Sequence, residues 1–440
     1  MKKQFLILTL LFLAIFNANS QQVSFEEYDL ENGLHVILHQ DNSAPLVVTS
    51  IAYHVGAKDE NPERTGFAHF FEHLLFEGTK NIERGEWDKI VKSNGGKNNA
   101  TTNDDRTYYY EVFPSNSLET GLWLESERLL HPEITQVGVD TQNEVVKEEK
   151  RLRVDNRPYG KIFEELKKGL FKKHPYRWSP IGSMEHLDAA TLDEFLAFNK
   201  KFYIPNNAVL VIAGDFKTKE AKKLIETYFG EIPKGEPIVR NYPKEEPITE
   251  EFTVKAYDAN IQIPAILVTY RTPSFKSRDA RILDMISSYL SGGNSSKLYK
   301  RLVDEEKKAL AVQAFNFSQE DYGLSAIFAL PLGETSLDDL VKGIDKEIEK
   351  LQTALISERD FEKLQNQFEN QFVNANSGLE GIAGSLANYY LLYGNTNLIN
   401  SEIDIYRSVT REEIKEVANK YLKKNQRMLL EYLPKEQENQ

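Results

Sequence analysis

No cysteine occurs among the 440 residues, so the protein has neither a disulfide framework nor a cysteine to which a lipid could be attached. Excess positive charge is missing too. With 54 Lys and Arg against 67 Asp and Glu, the formal net charge is -13, which argues against a general binder of nucleic acid or of anionic membranes, since both need a basic footprint. Histidine is scarce: all 8 fall at or before His186, so the second half shows no metal site of its own. Past the amino terminus, no run is long and apolar enough to cross a bilayer. What is present suits a folded protein, because 40% hydrophobic and 11% aromatic residues can fill sizeable cores.

The amino terminus, MKKQFLILTLLFLAIFNANSQQ, has Lys2 and Lys3, an apolar run from Phe5 to Phe16, then Ala18 and Ser20 before Gln21. That is the layout of a secretory signal peptide, and the run is too short to span a membrane comfortably. The sequence predicts a signal peptide over 1–20, a mature chain from about Gln21 and no stable membrane anchor. Export to the periplasm is expected, with release further outside as the alternative.

A chain this long implies two domains or more. The segment beginning at Thr191, TLDEFLAFNKKFYIPNNAVLVIAGD, is echoed by TREEIKEVANKYLKKNQRMLLEYLP beginning at Thr410. At an offset of 219, Thr191, Glu194, Lys201, Asn206 and Leu210 recur as Thr410, Glu413, Lys420, Asn425 and Leu429. Each copy reads as an amphipathic helix, a short turn and an apolar strand. Between the copies, the charged, proline-bearing segment from Pro233 to Glu251 reads as an exposed linker. The expected organisation is therefore 21–232 and 252–440 as homologous domains joined by 233–251. Within the first, LHVILH and LVVTSIAYHV read as strands, TTNDDRTYYYEVF as another, and about Asn116 to Leu130 as a helix. Strands and helices mix without regular βα alternation, which points to α+β domains: helices packed on mixed, largely antiparallel sheets, duplicated as two sandwiches.

The stretch HFFEH, residues 69–73, carries the chemistry. On a helix, positions four apart stand about 40° apart on one face, so His69 and His73 can offer two imidazole nitrogens to one ion. Glu72 sits at the edge of that face, placed to take a proton from a water at the ion without binding the ion itself. This is the reversed form of the zinc-peptidase helix. A catalytic zinc takes three protein ligands and keeps one position open. Candidates for the third are Glu144, Glu148 and Glu149 in NEVVKEEKRLRVDN, and periodicity does not choose among them.

The blocks GFAHFFEHLLFEGT, NGGKNNATTNDDRTYYYEVFP, VVKEEKRLRVDNRPYGKIFEEL, HPYRWSPIGS and FYIPNNAVLVIAGD, in this order, resemble the pitrilysin/insulinase family (M16) of zinc metallopeptidases, which includes the mitochondrial processing peptidases. The resemblance runs from about residue 24 to the end and is stronger in the first half. It implies one Zn2+ per chain held by His69, His73 and Glu149, the last lying 76 residues after His73, with Glu72 as general base. It also implies two similar domains closing around an unfolded peptide, whose backbone would pair with a strand at Asn99 and Ala100.

Two positions depart from that family. Relatives often carry a glutamate seven residues before the third ligand, where this chain has Gln142, an amide that can still hydrogen-bond near the metal. Members acting alone resemble one another in an Arg/Tyr pair that steadies the substrate carbonyl. Here Val312 aligns with the tyrosine and Asp304 or Glu305 with the arginine, leaving Arg301 or Tyr299 as shifted substitutes. The expected protein is a zinc metalloendopeptidase acting on peptide substrates. Its partner would be a related subunit that carries the Arg/Tyr pair, giving a heterodimer rather than a homodimer. The alternative is a non-catalytic assembly or binding subunit with a vestigial or structural zinc site.

Overall fold

The computed structural model describes residues 22–435; the expected signal peptide, 1–20, lies outside them. Two sheets organise the chain. The first is ordered β1-β2-β6-β3-β5-β4, with β1 at Glu26–Asp29, β2 at His35–Gln40, β3 at Leu46–Tyr53, β4 at Lys97–Thr102, β5 at Thr107–Pro114 and β6 at Ala208–Gly214. The second is ordered β7-β11-β8-β10-β9, with β7 at Phe252–Asp258, β8 at Ala265–Pro273, β9 at Ala309–Ser318, β10 at Tyr322–Pro331 and β11 at Met428–Pro434. β2 pairs in parallel with β6 in the first sheet and β7 with β11 in the second, and the remaining pairs are antiparallel. This is a two-domain α+β fold.

The duplication extends to details. The helix Leu192–Phe202 is capped by Thr191 with Glu194 reciprocating, and Arg411–Tyr421 is capped by Thr410 with Glu413. Each is a capping box, in which the cap side chain and the third helical residue each satisfy a backbone N–H of the other.

Strand alternation gives both sheets two apolar faces. In the first sheet, Val36, Leu38, Ile51, Leu210 and Ile212 face that half's own helices. Ile37, Val48, Ala52, Val209 and Val211 face Ile382, Ala383 and Leu386 from the helix Leu379–Asn388 of the second half. The second sheet is covered reciprocally. Its Ala265, Leu267 and Leu430 pack on Ile162, Leu166 and Leu170 from the helix Ile162–Leu170 of the first half. Each half thus lends one helix to the other's core.

One expectation from the sequence is corrected. The stretch TTNDDRTYYYEVF is a hairpin rather than one strand, because the Asn103 side chain accepts from the Asp105 and Arg106 N–H groups, both at 2.8 Å, and turns the chain between β4 and β5. The segment 233–251 contains no helix or strand and no buried residue, and it is strapped to both halves. Glu245 accepts from the N–H groups of Lys172, Lys173 and His174 at 2.7, 2.6 and 2.7 Å and faces Arg271. Upstream in the same segment, Arg240 and Tyr242 donate to Asp59.

Candidate metal centre

HFFEH lies on the helix Phe67–Leu74. Eight residues are too few for a helix to persist by propensity, so its neighbours must hold it. Phe67 and Phe70 stack against Phe195, and Phe71 packs on Phe198 and Tyr203. Gly66 precedes it at φ +100, a left-handed conformation that favours glycine, and a Cβ there would meet the Ile181 carbonyl oxygen at 3.0 Å. Buried Glu60 then caps the helix from outside, taking the Gly66 and Ala68 N–H groups on its two oxygens at 2.9 Å each. Farther along, the Tyr109 hydroxyl donates to the Phe71 carbonyl at 2.8 Å. Arg128 donates to the Leu75 carbonyl at 3.0 Å. Arg128 is itself fully buried between Glu111 and Glu125.

The helix Gln136–Lys150 lies against this one and carries the three glutamates that are candidates for a third donor. Of the three candidate glutamates, Glu144 pairs with Lys147 and Glu148 with Arg151, both at 3.0 Å and toward solvent. Glu149 turns inward. Its Oε2 lies 3.3 Å from His73 Nε2 and 3.5 Å from His69 Nε2, while Arg153 steadies Oε1 at 2.6 Å. Four-coordinate zinc with bonds near 2.0–2.1 Å separates its ligand atoms by about 3.3 Å, so the spacing suits that ion. Glu149 Oε2 is moreover a buried oxygen that receives no hydrogen bond, an arrangement a cation would satisfy. Among the described residues, these three side chains form the one group of His, Cys, Asp and Glu so gathered. Burial, together with His73 beside it, holds the His69 imidazole at about 4, in the neutral form a ligand needs. Contact with His73 holds Glu149 below the usual carboxylate range.

Glu72 does not join the three. It faces a cleft of about 520 Å³, lined also by His73, Phe76, Asn99, Ala100 and Gln142, and burial raises its carboxyl above the ordinary range. Asn99 and Ala100 lie on β4, which pairs with β5 on one side and is the outer strand of its sheet on the other. Gln142 donates to Glu77 Oε1 at 2.5 Å, so the amide holds a residue at the end of the metal helix rather than joining the donor set.

The second half places the residues weighed for the Arg/Tyr pair in structural roles. Val312 is buried in the core of the second sheet and Tyr299 packs against that core. Arg301 is held by Glu347 and Glu306. Glu60, Arg128 and Tyr109 were missed by sequence reasoning, since nothing local marks a carboxylate six residues upstream, or groups 38 and 53 residues downstream, as partners of one helix.

The chain matches the family model described as insulinase (peptidase family M16) over residues 35–181 and the peptidase M16 inactive domain over residues 189–368. It is 30% identical over 421 residues to the zinc protease PqqE of Helicobacter pylori, covering 94% of each chain. It is 27% identical to the mitochondrial-processing peptidase subunit beta of Blastocladiella emersonii, covering 93% of this chain and 88% of that one. A crystal structure of a protease from Helicobacter pylori superposes with a TM-score of 0.88 at 27% identity, covering 94% of this chain and 100% of that one.

Proposed function

The chain belongs to the M16 (insulinase) family of peptidases, and from that premise we propose that it is a zinc-dependent metalloendopeptidase that hydrolyses unfolded or short peptides. The observation that carries this reading is the convergence of Glu149 Oε2 on both imidazoles at ligand spacing, with Glu72 left free beside them. His69, His73 and Glu149 would hold the ion. A zinc ion there supplies Lewis acidity toward the scissile carbonyl and makes a water acidic enough to deprotonate near neutral pH.

Glu72 is the general base: its carboxylate takes a proton from the attacking water and returns it to the leaving nitrogen. Its raised proton affinity suits a group that must hold that proton between the two steps. β4 offers an open edge at Asn99 and Ala100, along which an extended peptide can add as a further strand. Backbone pairing of this kind accepts many side-chain sequences.

We propose further that oxyanion donors come from a related partner chain carrying the Arg/Tyr pair. Arg301 is engaged by two carboxylates and Val312 is buried, which supports that reading. The signal-peptide layout of residues 1–20 supports export, and no helix among the described residues is long and apolar enough to cross a membrane.

The test is peptide hydrolysis by the purified mature chain, with zinc measured in the same sample, alone and with such a relative. One zinc per chain and cleavage that needs the relative is the expected result. Glu72→Gln should keep the zinc and lower kcat by about 10²–10⁴-fold. Full cleavage by the lone chain would refute the paired site, hydrolysis surviving Glu72→Gln would refute Glu72 as the general base, and no hydrolysis with or without the relative would refute the peptidase.

A further inference from the structure

The second half contains a cavity of about 480 Å³ between the helix Arg278–Ser291, β9 and the helix Glu358–Ala375. By the duplication this is the counterpart of the metal cleft. β9 stands at the outer position of its sheet as β4 does in the first, and the two helices correspond to those that carry His69, His73 and Glu149. Where the first half gathers ligands, this one gathers hydrogen-bond acceptors.

Glu402, at one side, is neutralised by Arg281, which grips it at 2.8 and 2.9 Å. Asp284 has no such partner: among the described residues its carboxylate takes only neutral donors, Asn316 Nδ2 at 2.8 Å and the Tyr406 hydroxyl at 3.2 Å. The Asn316 amide is fixed in orientation, because Nδ2 also lies 3.0 Å from Ser318 Oγ and 3.5 Å from the Ala280 carbonyl. That leaves Asn316 Oδ1 buried with no donor, and Ser288 Oγ is likewise buried and unpartnered. Aromatic side chains at Phe368 and Tyr406 complete the wall.

We propose that this pocket receives a primary ammonium group of the bound peptide, either its α-amine or a lysine side chain, on Asp284, Asn316 Oδ1 and Ser288 Oγ. An ammonium carries three donors, one for each of these acceptors, and aromatic faces attract a cation. Burial holds the Asp284 carboxyl at about 6, above its usual range, even though Asn316, Tyr406 and the nearby Arg281 each act to lower it. The assignment rests on the peptidase reading for the nature of its ligand. It places a substrate-positioning site in the half that holds no histidine.

The test measures binding rather than turnover. The full mature chain carrying Glu72→Gln is titrated with a fluorescent peptide in three forms: unmodified, acetylated at the α-amine, and with lysine replaced by norleucine. One of the two masked forms should bind about tenfold or more weakly, the effect of a lost charged hydrogen bond, and which one identifies the amine. Adding Asp284→Asn should weaken the unmodified peptide to the level of that masked form and leave the masked form unchanged. Ser288→Ala, which leaves the Asp284 partners in place, should show a smaller loss on the same peptide and decides the matter if Asp284→Asn does not fold. Binding indifferent to both masks, or discrimination that survives the variants, overturns this proposal alone. Binding of no peptide at all overturns the peptidase reading with it.

Discussion

The helix bearing His69 and His73 and its counterpart at Arg278–Ser291 occupy equivalent places in two sheets of the same order, yet they are stabilised in opposite ways. The second-half helix has 14 residues and is capped locally, Ser277 accepting from the Asp279 N–H. The metal helix has 8 residues, no side-chain cap of its own, and borrows Glu60, Tyr109 and Arg128. A helix that gathers no pair of histidines can rely on its own length and cap. One that aims two imidazoles at a proposed metal site is fixed from outside here, as metal geometry, which tolerates little drift, would require. The shared topology therefore does not need these supports, and they coincide with the proposed metal site.

That contrast can be broken most forcefully at Arg128. Arg128→Met would leave Glu111 and Glu125 buried without their cation and free the Leu75 carbonyl. Removing one partner from a buried ionic group typically costs about 3–5 kcal/mol. The expected outcome in denaturant melts is a loss of that size, with zinc content falling alongside. A neutral result would show that the triad does not anchor the metal helix.

The caps offer a matched pair with smaller effects. Glu60→Ala deletes a buried acceptor of two N–H groups and should cost about 2–3 kcal/mol, whereas Ser277→Ala should cost about 1 kcal/mol, the usual value of a local cap. The sharper difference is in zinc retention against a chelator: Glu60→Ala should release zinc faster than the unmutated chain, and Ser277→Ala should not. Equal retention would mean that the cap stabilises the fold without placing the ligands.

Much of this architecture was legible in the sequence, for reasons the structure makes plain. The 219-residue offset found at Thr191 and Thr410 reflects two capping boxes, motifs written in four consecutive residues. HFFEH was legible because helical periodicity alone puts its histidines on one face. The choice of Glu149 over Glu144 and Glu148 was not, since it depends on which carboxylate the packing of two helices turns inward. Nor was the helix exchange between halves. Ile162, Leu166 and Leu170 show an apolar stripe but not whose sheet it covers. The strap at Glu245 was hidden by composition, because charge and proline describe a free linker and a bound one alike.

The smallest expected effect lies where the halves touch. Glu320, in the turn between β9 and β10, accepts from His54 and Lys58 of the first half, both at 2.7 Å, and Lys58 also meets Asp105 at 2.9 Å and Asp321 at 3.2 Å. Burial alone would raise the Glu320 carboxyl, but hydrogen bonds from His54 and Lys58 outweigh it and hold the group well below the usual carboxylate range. Asp321 is lowered against burial in the same way, by His174 and Lys58. Carboxylates depressed by folding contribute stability above their unfolded values, near 4, and lose it as the pH falls toward the folded ones. Lys58, whose ammonium is raised, stays charged throughout that range. Glu320→Gln should therefore cost about 1 kcal/mol at neutral pH, a modest amount because two carboxylates still serve Lys58, and the difference should begin to shrink as the pH falls below about 4 and disappear only as it approaches the depressed folded value. A melt series across that range checks the sign, and a distance measurement between labels on the two halves should show the unmutated protein loosening over the same interval. A cost independent of pH would mean that Glu320 acts through packing, and that the exchanged helices, rather than this ionic contact, hold the halves together.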